Sequence, residues 1–272
     1  MAANGGRGSL ELWFENQEGK TRLMRRRHAG SLAVQRTFYP QTDAWARVYL
    51  LRPTSACQLE IDCHLAARAQ AVLTTPRPTM LHRSHQRPCE LLLRIDVAEG
   101  AICEYLPQET IVVAGADSSV CTRAELAADA VYIGWDVMRF ARPAAADALG
   151  AGRFRHSLEI VRDGEQIWFE RCCVSGPEAV DGAPFALAGE PIIGTLVYAG
   201  PMPGEAAARI RDRVNGHARH VFSVSEMECV VVCRYLGDQM SQAKTLFSAA
   251  WNALHDAGLG LSRRAVGSGA VD

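Results

Sequence analysis

Alternation of apolar and polar residues constrains this chain more than any other feature. In "CQLEIDCHL", Leu59, Ile61, Cys63 and Leu65 fall on one face of an extended chain, and Glu60, Asp62 and His64 on the other. That is the period-2 signature of a half-buried strand. Similar runs are "SLELWF", "ARVYLL", "AQAVLTT", "CELLLRID", "AVYIGWDVMRF", "HSLEIV", "QIWFERCCV" and "MECVVVCRYL". Turn-forming stretches such as "RDGE" and "GPEAVDGAP" separate them. Helical periodicity is nearly absent before residue 200, which disfavours βαβ units and a parallel Rossmann sheet.

Two helices are predicted late in the chain, at about residues 204–215 and 239–256. In the first, Ala207, Ile210 and Val214 share a face. In the second, Met240, Ala243, Leu246, Phe247, Ala250 and Leu254 form a wide apolar stripe with Trp251 at its edge. The expectation is one mainly β domain over residues 1–261, a many-stranded body with two C-terminal α-helices. The small, polar stretch 262–272 is expected to be a disordered tail.

Composition removes several functional classes. Twenty-nine basic residues against thirty acidic ones leave a net charge of −1, which gives no electrostatic footprint for nucleic acid or a membrane. The basic run "RLMRRRH" around Arg25 is local, has Glu11, Glu15 and Glu18 close by in sequence, and reads as a solvated strand end. The N-terminus has no apolar h-region and no window is apolar enough to span a bilayer. The nine cysteines are therefore expected as reduced thiols in a cytoplasmic protein. No CxxC, GxSxG, GxGxxG or GxxxxGK[ST] pattern occurs, so a zinc finger, a hydrolase elbow, a dinucleotide fold and a P-loop are all unsupported.

Three chemical features stand out. His82, His85 and Cys89 in "HRSHQRPC" are ligand types suited to zinc, nickel or copper, and support an alternative reading as a metal-binding protein or metalloenzyme. The paired Cys172 and Cys173 leave a cysteine-dependent hydrolase open, without a local signature. The third is "CEYLPQETIVVAGAD", where Glu104 and Glu109 flank Pro107. Proline cannot complete a central ladder, so Pro107 is expected at a strand end, with both acids emerging near a bend.

The run from Ala71 to Asp117 resembles the UreD family of urease accessory proteins, also called UreH. "LTTP" followed by "LHRS", the spacer "VAEGA", "CEYLPQETI" and the pair Gly115–Ala116 carry the likeness. "ELAADAVYIGWDVMRFARPA", "LEIVRDGEQIWFER", "PIIGTL" and "CRYLGDQMSQAKTLFSAAWNAL" extend it to Leu254. The loops and C-terminus diverge: Met80 stands at the family's usual lysine, "ARPAAADALGAG" lacks a usual glycine and acid, and the ending is "LSRRAVGSGAVD". The resemblance implies a layered, β-helix-like body and a non-enzymatic scaffold in urease maturation. Its partners would be UreF-type and UreG-type accessory proteins and apo-urease subunits. Its cargo would be transient nickel, with no tightly bound cofactor. Under that reading Asp62, Glu104, Glu109, Asp117 and Asp129 are candidate carboxylates along a nickel route, because oxygen ligands bind the ion and release it. Phe247, Trp251 and Leu254 are candidate partner contacts.

Overall fold

The structure, a computed structural model, describes residues 6–40, 44–51, 58–83, 88–113, 115–140, 152–175, 187–215 and 222–256. The predicted tail at 262–272 lies outside them. The chain first runs through β1 (Arg7–Gln17), β2 (Lys20–Ala29), β3 (Ala33–Phe38), β4 (Ala46–Leu51), β5 (Gln58–Leu65), β6 (Gln70–Thr74), β7 (Thr79–Leu81) and β8 (Cys89–Val97). Next come β9 (Ile102–Leu106), β10 (Thr110–Val112), β11 (Asp117–Leu126), β12 (Val131–Phe140), β13 (Arg153–Arg162), β14 (Glu165–Ser175) and β15 (Ile192–Ala199). Helix α1 (Pro203–Val214), β16 (Phe222–Glu226), β17 (Val231–Gly237) and helix α2 (Met240–Asp256) complete it.

From β4 to β13 the chain passes back and forth between two sheets. One has the order β14-β13-β11-β8-β5-β1-β2, and the other β16-β17-β15-β12-β9-β6-β4-β3. Neighbours along the coil pair in parallel, as in β5 with β8, β8 with β11, and β6 with β9. Parallel pairing needs a crossover, ordinarily a helix. Here a strand of the opposite sheet makes the crossover, so the sheets are parallel at their centres without βαβ units. Antiparallel hairpins, β1–β2 and β13–β14, close both ends of the first sheet.

The alternation read from sequence decides which face is inside. In β5, Leu59, Ile61, Cys63 and Leu65 are buried between the sheets, while Glu60, Asp62 and His64 point outward. A second apolar layer lies on the far side of the second sheet, where α1 and α2 cover Ile133, Leu196 and Val231. Leu246, Phe247, Ala250 and Leu254 of α2 are all buried there, at roughly 2 kcal/mol of transfer free energy for each large side chain. The molecule is thus three layers deep, sheet on sheet on helices. None of its described helices is long and apolar enough to cross a membrane.

Candidate functional site

The segment around Pro107 is a planned break in a ladder. β9 pairs with Val131–Gly134 of β12, and β10 resumes beside Met138–Phe140 of the same strand. Between them the backbone groups that Pro107 excludes from pairing find side chains instead. The Leu106 carbonyl accepts from Thr74 Oγ1 at 2.6 Å and the Pro107 carbonyl from Trp135 Nε1 at 2.9 Å. Gln108 N donates to Thr75 Oγ1 at 2.9 Å. Pro107 therefore ends its strand as expected.

The two acids differ in their surroundings. Glu109 lies just past the break, 2.8 Å from Lys244 Nζ, which also donates to Gln108 Oε1 at 3.0 Å. Glu104 does not emerge at the bend. It sits in the middle of β9 and is fully buried, because β9 lies between β6 and β12 and is covered on both faces. Cys103 and Tyr105 point into the inter-sheet core, while Ile102 and Leu106 face the helices. Alternation puts Glu104 on the helix side, where Trp251 Nε1 donates to its Oε2 at 3.1 Å and His255 Nε2 lies 2.5 Å from its Oε1. Trp251 and His255 are four residues apart on α2 and so share one helical face. Their rings stand 4.4 Å apart, with Trp45 6.0 Å from His255.

The remaining predicted carboxylates lie elsewhere. Asp62 is on the outer face of the first sheet, 3.0 Å from Arg94. Asp117 opens β11, 3.4 Å from Arg155. Asp129 accepts a hydrogen bond from Gly100 N at 2.8 Å, which closes a turn. The structure brings Glu104 and Glu109 under one helix and leaves these three at the surface. Of the predicted partner contacts, Phe247 and Leu254 are buried against the sheet, and Trp251 is partly exposed. His82 is exposed after β7 and Cys89 is buried at the start of β8. His85 lies outside the described residues. Among the described residues no three metal-ligating side chains form a cluster.

The family model for UreD urease accessory protein matches residues 6–266. The chain belongs to the UreD family. Curated relatives agree along nearly the whole length. Urease accessory protein UreD 2 of Brucella anthropi is 49% identical, covering 95% of this chain and 96% of its own. UreD of Azoarcus sp. is 34% identical (93% and 90%), and UreD of Nostoc punctiforme 31% (93% and 91%). Membership of UreD places the chain in urease maturation, and these relatives are named as accessory proteins rather than as enzymes.

This UreD chain also holds an interior polar group that the sequence reading passed over. His156 of β13 is 3% exposed, and its Nε2 lies 3.2 Å from Asp136 Oδ2 on β12, bridging the two sheets. Glu170 of β14 reaches across in the same way, 3.2 Å from Thr195 Oγ1 and 2.8 Å from Arg234. Burial opposes charging of His156, but hydrogen bonding and attraction from Asp136, with Glu170 adding, outweigh it and hold its pKa above the ordinary value. His156 Nδ1 and Glu170 Oε2 are buried without a hydrogen-bond partner among the described residues. A signal existed: Asp136 and Glu170 occupy inward positions of strands that are otherwise apolar on that face. The buried thiols of the chain behave differently. Burial pushes the Cys63 and Cys103 thiols well up and the Cys233 thiol up to about 12. Cys172 is also raised, by burial and then by Glu170, which leaves that thiol a poor nucleophile.

Proposed function

We propose that this chain is a non-enzymatic scaffold that assembles with UreF-type and UreG-type accessory proteins on apo-urease and helps pass nickel to the enzyme. The observation that carries the nickel part is the pair of buried, unpartnered ligand atoms, His156 Nδ1 and Glu170 Oε2, between the sheets. Buried polar atoms without partners are uncommon, and a bound water or ion is what such atoms ordinarily receive. Once His156 gives up its proton, its imidazole and the carboxylates are suited to a borderline cation such as nickel, with no thiolate needed. A conduit needs such modest ligands, because cargo held by thiolates would not leave. On this reading Asp136 with His156, then Glu170, are separate points along an inner route rather than one closed site, and Glu104 and Glu109 are further points beneath α2. Asp62, Asp117 and Asp129 lie outside that interior set. For the partner interface, α2 offers its outward side with Trp251 at the margin, since its apolar stripe is already filled by the sheet.

The test is co-expression of the tagged chain with a UreF-type protein and apo-urease, followed by size-exclusion chromatography and metal analysis of the urease. Co-elution is expected, and Asp136→Ala with Glu170→Gln should leave the complex intact while nickel in the urease falls at least tenfold. Full nickel loading by an intact variant complex would overturn the route. Failure of the wild-type chain to co-elute would overturn the scaffold itself.

A further inference from the structure

β2 is the last strand of its sheet, and only its first half is covered. Thr21 N donates to the Ala44 carbonyl at 2.8 Å, and Leu23 N donates to Tyr39 Oη at 3.2 Å. From Met24 to Ala29 every residue is exposed, and among the described residues no further strand lies alongside. This half carries Arg25, Arg26, Arg27 and His28. The register with β1 slips by one residue at Met24, so that Arg25 pairs with Trp13 while Leu23 pairs with Phe14. The slip turns Arg25 and Arg27 onto the outer face beside Trp13. Their guanidinium carbons stand 4.6 and 5.8 Å from its ring centre. Arg26 and His28 face the other side, opposite Leu12 and Leu10.

The tryptophan is held from behind. Trp13, His64 and Asp96 lie in one row across β1, β5 and β8. Trp13 stacks on His64 at 5.4 Å and 18°, and His64 Nδ1 is 2.7 Å from Asp96 Oδ2. Among the described residues no carboxylate pairs with Arg25, Arg26 or Arg27, although Glu11 stands opposite Arg27 in register. The opposite outer edge, β14, mixes Glu165, Glu170 and Arg171 instead.

We propose that the Met24–Ala29 edge of β2 is a docking strand for an extended acidic segment of a partner protein, with Trp13 as its apolar anchor. An unpaired edge offers main-chain donors and acceptors to an added strand. A single charge is enough to discourage unwanted pairing; three consecutive arginines on both faces go beyond that and select for sign. Cations stacked on a fixed indole are already ordered, so less side-chain freedom is lost on binding. A nucleic acid is disfavoured because a chain of net charge −1 has no wider positive field to draw one in. The proposal is independent of the nickel route.

The experiment uses the full chain and a fluorescein-labelled nine-residue peptide of alternating Glu and Val. Binding should weaken as salt rises. Arg25→Glu with Arg27→Glu should lower affinity at least tenfold, and Trp13→Ala should do so with the charges kept, while the unfolding midpoint of the charge variant stays unchanged. Methylating alternate peptide nitrogens on the strand-pairing edge should also cost at least tenfold. No binding of the parent peptide, or equal binding of the methylated one, overturns the docking strand. Tighter, arginine-dependent binding of a single-stranded oligonucleotide or of phosphatidylserine vesicles would overturn it in favour of those surfaces.

Discussion

Glu104 Oε1 and His255 Nε2 meet at 2.5 Å, in a place where the carboxylate has no exposure to solvent at all. One contact therefore ties the last turn of α2 to the middle of the sheet beneath it. Removing one partner of a buried pair strands the other, at a cost of about 3–5 kcal/mol. Glu104→Ala should lower the urea midpoint accordingly. Glu104→Leu combined with His255→Leu should recover part of the loss, because only Trp251 Nε1, at the partly exposed margin, then lacks its acceptor. A double variant as weak as the single one would contradict this account.

The bridge between the sheets has a pH signature. His156 has its folded-state pKa raised above the ordinary 6.5, so the charged ring stabilises the fold. That contribution is fully present below pH 6.5 and is lost as pH rises through the raised value. Thermal melts of the wild type against His156→Gln should therefore converge as pH rises from 6 toward 9. Asp136→Asn should flatten the wild-type dependence, and a gap that widened with pH would refute the sign.

Gly194 of β15 faces Phe247 so closely that a Cβ there would lie 2.5 Å from its ring. Gly194→Ala should overpack the helix layer and cost about 1–3 kcal/mol. Phe247→Leu in the same chain should return part of it. Calorimetric melting of the two variants checks both halves, and additivity of the two losses would mean that the ring is not what the added methyl meets.

In the Glu109–Lys244 pair the lysine side chain is 37% exposed and the glutamate side chain 13%. Because the ammonium end stays in water, the pair contributes little, about 1 kcal/mol. Glu109→Gln should leave the unfolding midpoint nearly unchanged. A large fall in nickel loading of co-expressed urease, against that small change, would place Glu109 on the route; unchanged loading would leave it only a tie between β10's approach and α2.

How far the sequence foretells this molecule depends on the range of the forces involved. Period-2 patterning is local, so the inward face of β5 and the positions of both helices are legible residue by residue. Pro107 likewise announces a strand end through its own missing N–H. The interleaving of the sheets is not legible, because β5 and β8 pair across a strand of the other sheet and no local pattern records that. Glu104 shows the same limit. Three residues before a proline it reads as a surface acid, and only the parallel neighbours β6 and β12, with α2 above, make it an interior one. β11 is not legible as a strand because its outward-facing positions carry charges that dilute the alternation, and the basic run read as a strand end is the body of edge strand β2. The Asp136–His156 bridge was within reach, as charges on apolar faces, but its partners come from different sheets.

The three layers also have an order in time. Both helices come after residue 200, yet they cover the apolar outer surface of a sheet whose strands begin near residue 33. During synthesis the coil of strands can close before its lid exists, leaving Ile133, Leu196 and their neighbours bare on the nascent chain. Such a surface is prone to association. A ribosome-stalled or truncated chain ending before Pro203 is therefore the form most in need of a chaperone, and completing α2 is the step that makes the protein safe to release.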